Sequence, residues 1–354
     1  MSFSALPPTP DASLPDASYL PAHLAFEDAP GELLPSRGVC AVELTLRHAG
    51  PRRVRVAWEC VGSASAPLLV VQGGISATRH VAASVQHAEI GWWDAQVGTS
   101  RAIDPKNYRV FSIDWLGADG ALDVTLDPAD QADAIAAVLD SLELGSVAAF
   151  VGASYGAMVG LQFAARHGER LGKLIAISGA HRSHPQTTAL RVIQRRIVKL
   201  GRSEAAVREA LALARALAVI GYRTAGEFDA RFDGAPTFEA GCARFAVEDY
   251  FDAIGPRFVA RFTPTAYLRL SESIDLHRVD PAAIRVPTEL VAIEQDQIVP
   301  LSDVHTLAEG LGARCRVQRI RSCFGHDAFL KETGAIDTRL RAAMDSTLNP
   351  GDAA

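Results

Sequence analysis

The chain has 354 residues, 48% of them hydrophobic, with a formal net charge of -6. That length suffices for a full core, and an acidic balance releases few counterions from a polyanion, so a nucleic-acid partner is not expected. Five scattered cysteines, Cys40, Cys60, Cys242, Cys315 and Cys323, have no paired spacing and point to reduced thiols rather than a disulfide framework.

Residues 1–25 are rich in Pro, Ser, Ala and Asp, follow neither helical nor strand period, and read as a flexible extension. They lack the basic segment and apolar run of a secretory signal, and no stretch reaches the length of a membrane span, so a cytoplasmic protein with no membrane partner is expected. Val42 to His48 and Arg53 to Cys60 alternate apolar and polar residues, which suits an antiparallel edge. Pro67 to Gly73, Tyr108 to Trp115 and Val147 to Gly152 are continuous apolar runs, which suit buried parallel strands. Between the last two, DPADQADAIAAVLDSLEL predicts a crossover helix capped by Asp127. A helix follows Ser154 and LIAISGA returns as a strand, continuing a right-handed βαβ rhythm. From His184 to His277 the pattern is helical, with no strand signal, and reads as an insertion over the sheet. Strand Glu289 to Ile293 resumes the sheet, and RCRVQRIRSCFGHDAFL closes it with a strand, a loop and a helix. The expected architecture is a mostly parallel sheet flanked by helices, with a core at 26–181 and 281–354 and a helical lid at 182–280.

The stretch FVGASYGAMVG, Phe150 to Gly160, sets Ser154 between two glycines at a strand-to-helix junction. G-x-S-x-G is a weak signal by itself, but strand, tight turn and helix are what a nucleophile elbow requires. A buried structural serine is the alternative. A serine hydroxyl is a poor nucleophile near neutral pH and needs a base, which an acid orients. Asp296 follows the strand ELVAIE and His326 lies in the loop after VQRIRS, both at carboxyl ends of strands, where a parallel sheet collects its site. Asp303 and Asp280 are rival acids, while His167, His277 and His305 read as surface or packing residues. Cys323 and His326 raise a metal reading, but no further ligands stand at matching spacing, so no metal is expected. The oxyanion donors are expected from the Tyr155 N–H and from the loop Gln72 to Val81, where Gly73 and Gly74 either permit close backbone approach or merely end a strand.

Gly91 to Gly117 (GWWDAQVGTSRAIDPKNYRVFSIDWLG), GASYGAM, RALAVIGYRT (Arg215 to Thr224), EQDQIVP and GHDAFL together resemble the homoserine O-acyltransferases of the α/β-hydrolase fold, from about Cys40 to the C-terminal helix. The resemblance implies that fold with a helical lid, a homodimer formed through lid helices, acyl-CoA as co-substrate with no permanently bound cofactor, and acyl transfer to L-homoserine through an acyl-serine. It implies Ser154, Asp296 and His326 as the triad and Arg223 and Asp327 as acceptor-binding residues. Arg223 could grip an α-carboxylate bidentately while Asp327 receives the α-ammonium. Without the resemblance, Arg223 reads as a solvated or salt-bridged helix residue and Asp327 as a helix N-terminal acid. Ile75 is then the expected second oxyanion donor.

The chain departs from the family pattern in three places. Ser-Met-Gly-Gly at the elbow becomes Ser154, Tyr155, Gly156, Ala157. The long loop after DWLG shrinks to ADGALDVTLDPAD, and Leu-Thr-Gly-Asp-Ala-His becomes Ile75 to His80, bringing in Arg79. A buried succinyl carboxylate needs a cation. Arg79 is the acyl-specificity candidate, with Arg191, Arg195 and Arg196 as substitutes; pointing to solvent or pairing with a surface acid is the alternative for Arg79, and succinyl-CoA is the favoured donor. Acetyl transfer, L-serine as acceptor, a carboxylic-ester hydrolase lacking the Arg223 and Asp327 clamp, and a catalytically dead binding module are the other readings.

Overall fold

The expected edge hairpin forms from β1 (Arg37–Leu46) and β2 (Gly50–Val61), paired antiparallel from Arg37↔Glu59 to Leu46↔Gly50 in a computed structural model that describes residues 36–346. The N-terminal extension expected at 1–25 lies outside the described residues. Next come β3 (Leu68–Gln72), β4 (Arg109–Ile113), helix α1 (Pro128–Ser141), β5 (Ala149–Ala153), helix α2 (Tyr155–Arg166) and β6 (Leu174–Ile177). Asp127 caps α1 in a capping box with Asp130, and Asp130 also accepts from the Arg47 N–H at 2.8 Å, so the cap ties the edge hairpin to the helix.

Between β6 and the next sheet strand lie helices α3 (Pro185–Leu200), α4 (Glu204–Tyr222), α5 (Ala225–Phe232), α6 (Ala246–Arg261) and α7 (Pro264–Leu276). They are joined by one element the helical reading missed, a hairpin of β7 (Thr237–Glu239) and β8 (Cys242–Arg244). Its turn residues Ala240 and Gly241 both have positive φ, 50° and 83°, as a two-residue primed turn demands. The insertion leaves and re-enters the core through two adjacent segments. Val279 donates to the His181 carbonyl at 2.9 Å and Ser183 to the His277 carbonyl at 3.3 Å. His277 is buried there and its Nε2–H donates to the Ala180 carbonyl at 2.9 Å; burial pushes its imidazole down to about 4, so it stays neutral.

The sheet resumes with β9 (Thr288–Ile293), then helix α8 (Leu301–Leu311), β10 (Cys315–Ile320) and helices α9 (Ala328–Lys331) and α10 (Thr333–Asp345). Strand order is β1-β2-β4-β3-β5-β6-β9-β10, parallel from β4 onward. Successive strand residues point to opposite faces, so one sheet fills two cores. Val70, Phe150, Leu174 and Leu290 pack under α1 and α2, while Leu69, Val151, Ile175 and Val291 pack against Trp93, Phe329, Ile336 and Leu340. Phe150 and Phe163 meet at 5.5 Å between centroids; truncating either to alanine would cost about 3–5 kcal/mol. The carboxyl ends of β5, β9 and β10 thereby lie on one side of the sheet, with β6 between β5 and β9, and Ser154, Asp296 and His326 follow them in sequence.

Candidate active site

The elbow is strained and tightly built. Ser154 has φ 56° and ψ -117°, at the turn between β5 and α2, a conformation that costs of order 1–3 kcal/mol and persists only where its surroundings enforce it. A Cβ on Gly156 would lie 2.1 Å from the Gln72 carbonyl oxygen and one on Gly152 2.2 Å from the Gly156 carbonyl oxygen. Both glycines are therefore required by close backbone approach. The Gly156 N–H donates to the Gly73 carbonyl at 2.8 Å, binding the elbow to the loop after β3.

His326 sits in a 3-10 turn, Gly325–Asp327, beyond β10. Its Nδ1 is 2.7 Å from Asp296 Oδ2 and its Nε2 is 2.8 Å from Ser154 Oγ. A carboxylate can only accept, so Nδ1 carries the proton and Nε2 is left to accept from the serine hydroxyl. Asp296 Oδ1 accepts from the N–H groups of Ile298 and Val299 at 2.8 and 2.9 Å, which fixes the carboxylate in place. His326 and Asp296 are both buried. Burial works against the imidazolium, yet the attraction and hydrogen bond of Asp296, with help from Asp327, outweigh it and raise the His326 pKa above its ordinary value. Of the rival acids, Asp303 pairs with Arg182 at 3.2 Å and Asp280 caps a short turn through the Ala282 N–H, so neither is at the histidine.

The Tyr155 and Ile75 N–H groups donate to no backbone carbonyl among the described residues. Trp115 links the segments that carry them. Its indole N–H donates to the Gly74 carbonyl at 3.0 Å, and its ring meets Tyr155 edge-on at 4.9 Å. The Tyr155 hydroxyl is 2.6 Å from Ser273 Oγ on α7, tying the residue after the serine to the helical insertion. Burial pushes that phenol well above its ordinary range, so it stays protonated. No sequence pattern marks the Tyr155 side chain, Trp115 or Ser273 as part of the site, because their contacts span distant segments.

Arg223, the residue after α4, is brought to Asp327, with Nε 3.5 Å from Asp327 Oδ2. Arg223 is only 3% exposed. Its Nη1 donates to Glu227 Oε1 at 2.9 Å and its guanidinium lies 5.2 Å over the Tyr250 ring. Asp327 makes no side-chain cap bond to α9, so its carboxylate is not spent as a helix cap. Tyr222, in the same GYRT segment, lies beside the His326 ring, tilted by 35° with centroids 5.9 Å apart.

Arg79 is placed differently. Its guanidinium and its backbone N–H both bind Asp114 at the end of β4, the latter at 2.7 Å, and none of its hydrogen bonds or ion pairs is to Ser154, Tyr155 or His326. Arg191 on α3 is more buried, at 7% exposed. It binds Asp275 at 2.7 Å and the hydroxyls of Ser183 and Thr187, and its charge is felt at His326, where it opposes protonation. Arg195 reaches the same Asp275 at 2.7 Å, so two guanidinium groups share one carboxylate. Among the described residues no group of three His, Cys, Asp or Glu side chains could hold a metal ion, and the five cysteines are unpaired.

Residues 67–333 match the family described as alpha/beta hydrolase fold. The chain is 53% identical over 330 residues to homoserine O-succinyltransferase from Xanthomonas campestris pv. campestris, across 93% of this chain and 88% of that protein. It is 33% identical over 285 residues, 72% of each chain, to homoserine O-acetyltransferase from Thermus thermophilus. The crystal structure of homoserine O-acetyltransferase from Bacillus anthracis superposes with a TM-score of 0.79 at 15% identity, covering 89% of this chain and all of that one, a likeness of fold.

Proposed function

The chain belongs to the homoserine O-acyltransferases of the α/β-hydrolase fold, and from that premise we propose that it transfers a succinyl group from succinyl-CoA to the hydroxyl of L-homoserine through an acyl-Ser154 intermediate, a step of methionine biosynthesis. It is an acyltransferase. The observation that carries the reading is a hydrogen-bonded Ser154, His326 and Asp296 chain beside an Arg223 and Asp327 pair. His326 Nε2 takes the Ser154 proton as Oγ attacks the thioester carbon. The resulting oxyanion is held by the N–H groups of Tyr155 and Ile75, at the head of α2, whose dipole favours negative charge. The C–S bond then breaks and His326 returns the proton to the departing CoA sulfur. In the second half the homoserine hydroxyl gives its proton to His326 and attacks the acyl carbon, the acyl–Oγ bond breaks, and His326 returns the proton to Ser154 Oγ. Asp296 keeps the imidazole in the required tautomer throughout.

Arg223 receives the acceptor's α-carboxylate and Asp327 its α-ammonium, which selects an amino acid over water and sets the reading apart from a plain ester hydrolase. For the donor, the 53% identity to a homoserine O-succinyltransferase favours succinyl-CoA over acetyl-CoA. The cation for the succinyl carboxylate moves from Arg79, which Asp114 occupies, to Arg191, because Arg191 and Arg195 together exceed the charge of Asp275 by one. Residues 182–280 act as a lid. Leu200, Leu213 and Ile220 are exposed on its helices, and Leu213 borders a groove with Phe251, Pro256 and Val259, which supports a homodimer through this face. No helix among the described residues is long and apolar enough to cross a membrane, and the substrates are those of a cytoplasmic enzyme.

The test is CoA release from the pure protein with succinyl-CoA or acetyl-CoA and L-homoserine or L-serine. Succinyl-CoA with L-homoserine should give the highest kcat/KM. A rate indifferent to any acceptor would point to hydrolysis.

A further inference from the structure

Thr224 to Glu227 has the T-x-x-E pattern of a capping box, in which the glutamate turns back to the cap's own N–H. Only half of it forms. Thr224 Oγ1 accepts from the Glu227 N–H at 3.2 Å, but the Glu227 carboxylate makes no return bond to Thr224. It lies instead among three cations. Oε1 is 2.9 Å from Arg223 Nη1, 3.4 Å from Lys331 Nζ and 3.6 Å from Arg231 Nη1. Those cations come from the end of α4, from one turn further along α5 and from the end of α9, so the carboxylate joins the helical insertion to the core. Lys331 is on the helix that begins beside Asp327.

Glu227 is 5% exposed and, among the described residues, its second oxygen has no hydrogen-bond partner. A buried carboxylate used this incompletely is costly as plain scaffolding. Glu227 and Asp327 hold the Arg223 guanidinium from two sides, at 2.9 Å from Nη1 and 3.5 Å from Nε, so removing the Glu227 charge releases one of these two restraints while Arg231 and Lys331 stay close by. We infer that Glu227 is the positioning residue of the acceptor site, setting Arg223 against Asp327 so that the two charges stand where the α-carboxylate and α-ammonium of the amino acid arrive. This rests on the acceptor-binding reading of Arg223. The hydrogen bonds and ion pairs of Glu227 go to Arg223, Thr224, Arg231 and Lys331, not to Ser154, His326 or Asp296.

The test separates the two half-reactions. Glu227→Gln keeps the shape and removes the charge. It should lower kcat/KM for L-homoserine about 10- to 100-fold, as loss of a charge-assisted pair does, while the burst of CoA from succinyl-CoA alone keeps its rate and amplitude. In an Arg223→Ala background the same substitution should add almost nothing, because Glu227 acts through Arg223. Glu227→Asp retains the charge on a shorter arm, should give an intermediate loss, and serves if the glutamine variant folds poorly. If Arg223→Ala impairs homoserine use but a folded Glu227→Gln does not, or if its effect simply multiplies with that of Arg223→Ala, the positioning role is wrong. If Arg223→Ala leaves homoserine use unchanged, the acceptor reading beneath it fails instead.

Discussion

The carboxyl ends of the sheet and the helical insertion hold their candidate functional side chains by different means. Ser154, Asp296 and His326 each follow a strand of one hydrogen-bonded sheet, and backbone groups fix the first two: the elbow is locked by Gly156 to Gly73, and Asp296 by two backbone N–H groups, while the His326 ring is held between them. Arg191 and Arg223 on the insertion are fixed mainly by side-chain ion pairs with Asp275, Glu227 and Asp327. Backbone fixing leaves little room for variation, which suits a reaction whose geometry must hold to a fraction of an ångström. Ion pairs can be re-formed by substituting one side chain, which suits the choice of donor and acceptor. The core should therefore govern whether acyl transfer occurs, and the insertion which molecules take part.

The largest effect expected from that division is in the core. His326→Ala should lower both acylation and turnover about ten-thousand-fold, whichever donor and acceptor are used. A loss confined to one substrate would break the comparison. Next is Arg191→Ala, expected to reduce kcat/KM for succinyl-CoA about 10- to 100-fold and to affect acetyl-CoA much less, as removal of a buried partner to a charge does. An unchanged donor ratio would return the search to Arg195 or Arg196. The smallest effect is in the pH profile of the CoA burst, where the two regions meet electrostatically. His326 must be neutral to accept a proton and its pKa is raised, so the acid limb should lie above the ordinary histidine value of about 6.5. Asp327→Asn removes a charge that favours the imidazolium and should move that limb to lower pH. Arg191→Ala removes one that opposes it and should move the limb to higher pH. Shifts in the same direction would contradict the placement of these charges around His326.

The same division governs what can be read from sequence. The elbow is local, since an apolar strand, two glycines around Ser154 and a helix stand in one uninterrupted run, and Asp296 and His326 follow recognisable strands. β1 begins at Arg37 rather than Val42 because pairing with β2 continues to Glu59, which no periodicity in β1 itself reveals. The β7–β8 hairpin escaped because its residues are nearly all exposed and carry no alternation, leaving Ala240 and Gly241 as the only turn signal. Arg79 drew attention through its place in a loop next to the elbow, but Asp114, at the far end of another strand, decides where its charge goes. Glu227 was hidden for a similar reason, because T-x-x-E reads as a cap and its partner Lys331 is distant in sequence. Arg191 and Asp275 come from opposite ends of the insertion.

The most direct measurement is the intact mass of the protein mixed with succinyl-CoA and no acceptor, followed by peptide mapping. The account predicts one added succinyl group on the peptide containing Ser154, lost when L-homoserine is supplied with O-succinylhomoserine formed in equal amount, and absent in Ser154→Ala. Normal turnover by Ser154→Ala, or a succinyl group that L-homoserine does not discharge, would contradict it.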